Sequence, residues 1–379
     1  MSEFLLHDEP VKQVYLDANA TTPVLPCIAD VVSHTMQICF GNPSSPHITG
    51  IQAKHLLEQT RQKAHTVIGA SNGDILFTSG ATEGIQTAVV STLIEAKKHP
   101  IKNPVLLYGA TEHKAVPNTL KHWNSVLDVN AEVLAIPVDS NGILDLDFIA
   151  EHINNALMIC TMAVNNETGV YQDLPAIEQV IRSRNKNVSW MVDCVQALGK
   201  QALALSNTTI DYAPFSGHKL YAPKGIGFLY IRSGSAYTPF IAGGGQESGM
   251  RSGTENLPGI AGLNKLFSML LDKSDDTFKP ISILNSYRSQ LQSAIKDTFG
   301  NITFNHDFAY SVPTTLNFAV NDLTSKEVID LFDAAGIRVS GGSACSTGAS
   351  TSFVLDAMGA SKWQSENAIR LSFGPAATQ

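Results

Sequence analysis

Short apolar runs alternate with amphipathic segments as far as about residue 256. Each run is four to seven residues long, rich in Val, Ile, Leu or Phe, and bounded by turn residues, which is typical of buried strands. The pattern predicts seven strands, at residues 74–78, 105–108, 133–138, 157–163, 188–192, 210–215 and 226–231. Helix-like segments such as 84–98 and 174–184 lie between several of them. The alternation indicates an α/β fold with a mostly parallel sheet covered by helices on both faces.

The pattern changes near Leu257, where long amphipathic helices begin. One strand candidate (315–320) and one further helix (325–335) follow them. We therefore expect a large domain at residues 15–260 and a smaller α+β domain formed by residues 1–14 and 261–379.

Composition and charge narrow the class of protein. The chain has 379 residues, 44% hydrophobic and 16% charged, as in an ordinary folded enzyme. A net charge of -8 argues against nucleic acid or an anionic membrane as a direct partner. The first 13 residues lack a basic, apolar leader, and no apolar stretch approaches membrane-spanning length. These features predict a cytoplasmic protein.

Five cysteines are scattered along the chain without metal-ligand spacing, so we expect no metal site. An odd number of cysteines and no export signal favour free thiols in a reducing compartment. Four of them are interpreted as buried small hydrophobic residues: Cys27, Cys39, Cys160 and Cys194.

The segment FSGHKLYAPKG (residues 215–225) carries the most chemistry. It places the hydroxyl of Ser216, the imidazole of His218 and the amine of Lys219 within four residues, directly after an apolar run. Glycine and proline follow, which indicates a tight loop rather than a helix face. An amine on such a loop, beside phosphate-binding groups, suits a Schiff base with pyridoxal 5'-phosphate. Taken alone, a solvated surface lysine is the commoner case.

Three more segments offer candidate chemistry, and each also has a plainer interpretation. TSGATEG (residues 78–84) joins a strand to a helix, where Thr82 and backbone N–H groups could bind an anion or simply cap the helix. Asp193 ends a buried strand, where it could hold a pyridine nitrogen protonated or cap a helix. His113 follows another strand, and could stack on the ring or lie on the surface.

The order of these segments resembles that of the pyridoxal phosphate-dependent cysteine desulfurases, in the class V aminotransferase family. The similarity is to the branch that serves iron–sulfur cluster assembly and nitrogen fixation. The matching stretches are YLDANATTP (15–23), FGNPSS (40–45), VNNETG (164–169), GGGQE (243–247), GTEN (253–256) and RLSFG (370–374). The resemblance implies a fold-type I transferase with pyridoxal 5'-phosphate as cofactor.

The resemblance also implies roles for single residues. Lys219 would form the Schiff base and move the substrate α-proton, Asp193 would pair with the pyridine nitrogen, and Gln196 would hydrogen-bond the ring hydroxyl. His113 would stack over the ring. The phosphate would be held by Ala81, Thr82, Ser216 and His218.

Three further residues complete the implied site. Thr254 matches a threonine that reaches the phosphate of the other subunit, which implies a homodimer. Asn166 and Arg370 would bind the carboxylate of the substrate. The planar fork of an arginine side chain matches a carboxylate, which independently favours Arg370 for this task.

Cys345 lies in SGGSACSTGAS (residues 340–350), a small-residue segment suited to a mobile loop. We interpret Cys345 as the nucleophile that takes sulfur from the substrate. The loop resembles the longer Ser-Gly-Ser-Ala-Cys type and not the short Arg-x-Gly-His-x-Cys type. It is about one residue shorter than usual after Cys345, which leaves the sulfur acceptor open.

The expected reaction is conversion of L-cysteine to L-alanine, with the sulfur left as a persulfide on Cys345 and passed to an acceptor protein. Two alternatives stay open, namely a selenocysteine lyase or aminotransferase of the same fold, and a non-catalytic assembly scaffold. Chains of this family usually continue well past the Phe-Gly motif, whereas only residues 375–379 follow here. The sequence is therefore expected to be a shortened form, or one part, of a longer polypeptide.

Overall fold

The computed structural model of the chain describes residues 13–342 and 351–377. Its helices are α1 (Pro26–Gln37), α2 (Ile48–Val67), α3 (Ala81–Lys98), α4 (Ala115–Val126), α5 (Leu146–His152), α6 (Leu174–Arg184), α7 (Leu257–Leu271), α8 (Ile281–Phe299), α9 (Ser325–Ala334), α10 (Phe353–Ala357) and α11 (Lys362–Asn367). Its strands are β1 (Val14–Tyr15), β2 (Asp74–Thr78), β3 (Val105–Gly109), β4 (Glu132–Ile136), β5 (Ala156–Met162), β6 (Ser189–Asp193), β7 (Tyr212–Ser216), β8 (Gly227–Ile231), β9 (Ile302–Phe304), β10 (Thr315–Val320), β11 (Ile337–Arg338), β12 (Ser340–Gly341) and β13 (Ile369–Ser372). Within the described ranges, no helix is both long and apolar enough to cross a membrane.

A seven-stranded sheet forms the centre of the molecule, in the order β2-β8-β7-β6-β5-β3-β4. Strand β8 is antiparallel to both of its neighbours, and the other pairs are parallel. All seven strands predicted from the apolar runs are present, and no end differs by more than two residues. The predicted α/β fold with a mostly parallel sheet is confirmed.

Helices cover both faces of this sheet. Successive residues of a strand point to opposite faces, and here both sets are apolar. Leu106 and Met158 join one buried cluster, which includes residues of α3 and α4. Leu107 and Ile159 join the other, which includes Ile260 and further residues of α7. The continuous apolar runs in the sequence follow from this two-sided burial.

A second, antiparallel sheet has the order β12-β13-β10-β9 and its own apolar cluster, which includes Phe318, Val328 and Leu371. Sequence patterning predicted only β10 in this region, because its partners have two to four residues and are too short for a recognisable period. Strand β1 pairs with β11, so the N-terminal segment contacts the C-terminal region.

The boundary expected at residue 260 falls inside helix α7. Apolar residues of α7, among them Ile260, Leu263 and Phe267, pack into the core beneath the large sheet. The helix therefore belongs by packing with the large sheet, and the division of the chain into two domains stays a prediction.

Candidate active site

The candidate residues collect at one edge of the large sheet. Strands β2, β3, β5, β6 and β7 point in the same direction, so the segments that follow them meet at their carboxyl ends. A cavity of about 160 Å³ opens there. Among its lining residues are Asn19, Ala81, Thr82, His113, Asn166, Asp193, Gln196, Ser216, His218 and Lys219. Nine of these ten were candidates from the sequence, and Asn19 was not.

Lys219 lies in a 3-10 turn, Gly217–Lys219, immediately after β7. Its Nζ donates hydrogen bonds to the backbone oxygens of Asn19 (2.7 Å) and Ala20 (2.8 Å). The hydroxyl of Thr22 donates to the backbone oxygen of His218 at 3.0 Å. The N-terminal segment that contains Asn19 and Thr22 therefore holds the lysine loop in place from the other side.

One end of the cavity is suited to an anion. Helix α3 begins at Ala81, and the Ala81 N–H donates to the hydroxyl of Ser216 at 2.8 Å. This contact needs a close approach of the loop before α3 to β8, since a Cβ on Gly227 would lie only 2.8 Å from the Gly80 Cα. The N-terminal end of an 18-residue helix, together with the Thr82 and Ser216 hydroxyls, provides donors for a phosphate.

Asp193, the last residue of β6, also lines the cavity. Its Oδ1 accepts the Val195 N–H at 2.9 Å, and burial raises the pKa of the carboxyl to about 6. A second buried carboxyl, Glu112, has a pKa well above its ordinary value because of burial and the nearby Asp193. Burial thus disfavours the charged form of both carboxyls, and of the two only Asp193 lines the cavity.

The two histidines of the cavity are neutral at pH 7. Burial, followed by the positive charges of Lys219 and Lys114, lowers the pKa of His113. Its Nδ1 accepts the Ala115 N–H at 3.2 Å, which places the ring proton on Nε2. Burial, with smaller contributions from Lys219 and Lys224, lowers the pKa of His218 to about 4. Its Nδ1 lies 3.1 Å from the Thr21 hydroxyl.

Arg370, on β13, lies behind the cavity wall and is only 1% exposed. Its Nη2 donates to Asp17 Oδ1 (2.7 Å) and to the Ser340 hydroxyl (2.8 Å). Its Nη1 donates to the backbone oxygen of Asn166 at 3.2 Å. The guanidinium therefore contacts the cavity through Asn166, with Asp17 as its carboxylate partner in this state.

Besides Arg370, two predicted site residues remain. Thr254 lines a separate cavity of about 150 Å³, together with Glu247, Arg251 and Gly253. Within one chain, the structure does not bring Thr254 to Lys219. Cys345 lies outside the described residues.

The other cysteines differ in burial. Cys160 and Cys194 are fully buried, and burial raises the pKa of both thiols. Thiols of this kind are not ionised at pH 7, which fits their interpretation as small hydrophobic residues. The expected burial is wrong for Cys27 and Cys39, which are half-buried. Cys27 lies in the first turn of α1, at the edge of the core, and Cys39 follows the C-terminal end of that helix.

Sequence reasoning missed three polar residues of the site: Asn19, Glu112 and Lys200. Asn19 lies inside the YLDANATTP stretch, and that motif was its only signal. Glu112 precedes His113 directly. Lys200 is four residues after Gln196, at the end of a series of turns.

A larger cavity of about 730 Å³ lies at the opposite edge, near the first residues of β5 and β6. Its buried carboxylate, Asp211, forms ion pairs with Arg182 and Arg232. None of the candidate residues lines it, so we place the candidate site at the smaller cavity, where the amine, carboxylate and anion-binding groups converge.

A fold with a mostly parallel sheet, and a site that joins a lysine, a carboxylate and an anion-binding helix end, defines a class of cofactor-dependent α/β enzymes. The model of the family described as "Aminotransferase class-V" matches residues 14–379. The chain belongs to this family.

Individual relatives agree with that assignment. A protein of Nostoc sp. named cysteine desulfurase is 35% identical over 363 residues, which cover 95% of this chain and 87% of that protein. A solved structure titled NifS-like protein has a TM-score of 0.86 and 32% identity, and the match covers 97% of this chain and 95% of that one. The structure titled "SspA in complex with cysteine" has a TM-score of 0.80 and 27% identity. The match covers 96% of this chain and 99% of that one. Like the NifS-like proteins, the chain has the fold-type I architecture.

Proposed function

We propose that the protein is a pyridoxal phosphate-dependent cysteine desulfurase that converts L-cysteine to L-alanine and collects the sulfur on Cys345. One observation carries the proposal: Lys219, Asp193 and the N-terminus of α3 surround a single cavity. Homology supports the reaction, because relatives that match almost the whole chain are named cysteine desulfurases. The cysteine-bound structure with 27% identity supports cysteine as the substrate.

The residues of the cavity fit pyridoxal 5'-phosphate. The phosphate would lie at the start of α3, with donors from Ala81, Thr82, Ser216 and His218. Asp193 is buried and its Oδ1 hydrogen-bonds a backbone N–H, so a protonated pyridine nitrogen would supply the cation that this carboxylate needs in a buried site. Lys219 lies on the cavity wall, as the covalent link to the cofactor requires.

When bound, the cofactor supplies an electron sink for the bonds at the substrate Cα. The residues of the chain then divide the work. Asp193 would keep the ring nitrogen protonated, and Lys219 would carry the proton between Cα and its acceptor. His113 would cover the ring, and its neutral imidazole, with the proton on Nε2, can donate a hydrogen bond from Nε2.

Sulfur transfer needs no outside oxidant or reductant. The Sγ of Cys345 attacks the substrate sulfur, so an S–S bond forms while the bond between that sulfur and Cβ breaks. The bonding electron pair goes to Cβ, which then takes a proton to become the methyl group of alanine. The thiolate of Cys345 is the reactive form, and the thiol proton is passed to a group of the site.

Arg370 and Asn166 are the proposed carboxylate-binding residues. Arg370 already holds one carboxylate, that of Asp17, through Nη2. A substrate carboxylate near Asn166 would share or replace this partner, since the guanidinium offers five donors.

We also propose that the working unit is a homodimer in which Thr254 binds the phosphate at the partner's cavity. The separation of Thr254 from the Lys219 cavity within one chain supports this assignment. An acceptor protein would collect the persulfide sulfur. A cytoplasmic location, with cysteines kept reduced, stays a prediction.

The experiment that tests this function compares the wild type with Cys345→Ser. The wild type should form alanine and persulfide sulfur in equal amounts from L-cysteine. Serine lacks a soft thiolate, so we expect the variant to lose at least about a hundredfold in alanine formation while its cofactor absorption still responds to cysteine.

The matched control is Cys39→Ser, since Cys39 is a half-buried thiol far along the chain from the proposed loop. It should behave as the wild type. Formation of a keto acid in place of alanine would show an aminotransferase, and a strong preference for selenocysteine would show a lyase. No product at all from the cofactor-loaded wild type would show a scaffold.

A further inference from the structure

Lys200 is a buried amine without a carboxylate among its described hydrogen-bond partners. It ends the series of turns that follows Asp193, and the residue is only 7% exposed. Its Nζ donates to Gln196 Oε1 at 2.5 Å and to Asn19 Oδ1 at 2.9 Å. Burying an amine whose described partners are two neutral amide oxygens costs free energy. A role of Lys200 at the site would explain this cost.

The two acceptors fix how both amide side chains are turned. Because Gln196 presents its oxygen to Lys200, its Nε2 points the other way and donates to the Asn19 backbone oxygen at 3.1 Å. The Asn19 oxygen likewise faces Lys200, and its Nδ2 donates to the backbone oxygen of Asn166 (3.1 Å) and to the Thr315 hydroxyl (2.9 Å). Lys200 thus sets the donor direction of two residues in the cavity wall.

The same network reaches Lys219. Its Nζ donates to the backbone oxygen of Asn19, which is also the acceptor for Gln196. Asn19 is therefore shared by three groups: its backbone oxygen binds Lys219 and Gln196, and its side-chain oxygen binds Lys200. A shift of Asn19 would therefore move the backbone oxygen that accepts from Lys219, and it would change the cavity wall at the same time.

The nearby positive charges act on Lys200 in the same direction as burial. Burial, followed by Lys219 and Arg370, lowers the pKa of Lys200 to about 7. The interaction between two amines is mutual, so a cation at Lys200 also disfavours a cation at Lys219. Lys219 also affects the pKa values of His113, Asp193 and His218.

We propose that Lys200 is a positioning residue of the reaction: its two hydrogen bonds hold Asn19 and Gln196 so that Gln196 donates to the cofactor ring hydroxyl and Lys219 stays aligned for proton transfer. This inference rests on the proposed function, because it assumes that the cofactor occupies the cavity. It assigns a task to a residue that does not itself line the cavity.

The test uses the cofactor-loaded enzyme and the variants Lys200→Met and Lys200→Gln. Methionine keeps the length of the chain and removes the donors and the charge, so Gln196 can rotate. We expect about a tenfold lower kcat, as for one lost hydrogen bond to a charged group, with little change in the KM for L-cysteine. Glutamine retains two N–H donors and should restore part of the rate.

A second measurement does not depend on turnover. The pH midpoint of the visible absorption of the bound cofactor should rise in Lys200→Met, because removal of a nearby donor and cation favours the protonated form at Lys219. Lys200→Gln should lie between Lys200→Met and the wild type.

Two controls separate positioning from stability. Lys186→Met removes an exposed lysine and should leave the rate and the midpoint unchanged. Ile181→Ala, in the core beneath α6, should lower the unfolding temperature without moving the absorption midpoint.

Wild-type rate and midpoint in Lys200→Met would overturn the inference, as would an equal shift of the midpoint in Ile181→Ala. A wild type that binds no cofactor or makes no alanine would instead contradict the proposed function, whatever the Lys200 variants do.

Discussion

Burial is the main influence on the carboxyl groups around the cavity. For Asp193, Glu112 and Glu167, burial is the largest cause of a raised pKa, ahead of every charged neighbour. In the proposed function, a protonated ring nitrogen would change this balance for Asp193 alone. The contrast between Asp193 and Glu112 follows from position, because only Asp193 lines the cavity.

The effect of burial on a carboxyl pKa can be measured at Glu167 without the cofactor. It is 4% exposed and accepts the Ser352 hydroxyl at 2.6 Å. Burial raises its pKa from 4.5 to about 7, and Ser352, Arg370 and Lys114 offset only part of that effect. Between these two pH values the folded chain keeps a proton that the unfolded chain releases. The contribution of Glu167 to the free energy of unfolding therefore falls as the pH rises from about 4.5 to 7.

Glu167→Gln should remove this pH dependence. A glutamine resembles the protonated acid. The free energy of unfolding of the variant should therefore match that of the wild type near pH 5 and exceed it near pH 8 by on the order of 2 kcal/mol. Urea unfolding at the two pH values measures the difference. The exposed residue Glu151 provides the control. The free energy of unfolding of Glu151→Gln should differ from that of the wild type by the same amount at both pH values. A Glu167→Gln variant less stable than the wild type at pH 8 would contradict the assignment.

At the scale of elements, the strand ends explain why much of the site could be predicted. Buried strands of five to seven residues leave strong apolar runs, and polar residues directly after them must gather at one edge. Asp193, His113 and Lys219 all follow such runs. The order of these motifs along the chain was therefore enough to predict which side chains share the cavity.

The elements that could not be predicted have weaker local signals. Strands of the small sheet are short, and their pairing joins distant parts of the chain, such as β1 with β11. The Asp17–Arg370 ion pair spans more than 350 residues. Lys200 is a further example, because a lysine in a polar turn is normally a surface residue and only tertiary packing reveals its burial.

At the scale of the whole molecule, the role proposed for Thr254 involves a partner chain. If Thr254 of one chain completes the Lys219 site of the other, then Lys219→Ala and Thr254→Ala damage different sites. In a mixed dimer, one site carries both changes and the other carries neither.

Coexpression of Lys219→Ala with Thr254→Ala should therefore restore activity. Random pairing gives half mixed dimers with one intact site each, or about a quarter of the wild-type activity. Each variant alone should remain well below this level. Sedimentation of the purified protein should show the dimer, and a monomer at assay concentration would contradict the cross-subunit role.

The central claim is that Lys219, and no other lysine of the site, carries the cofactor. Borohydride reduction of the cofactor-loaded wild type, followed by digestion and mass spectrometry of the peptides, tests it directly. We expect the pyridoxyl mass on the peptide that contains Lys219, and its loss in Lys219→Ala. The same mass on Lys200 or any other lysine, or an unmodified Lys219 in protein that retains its yellow colour, would contradict the proposed site.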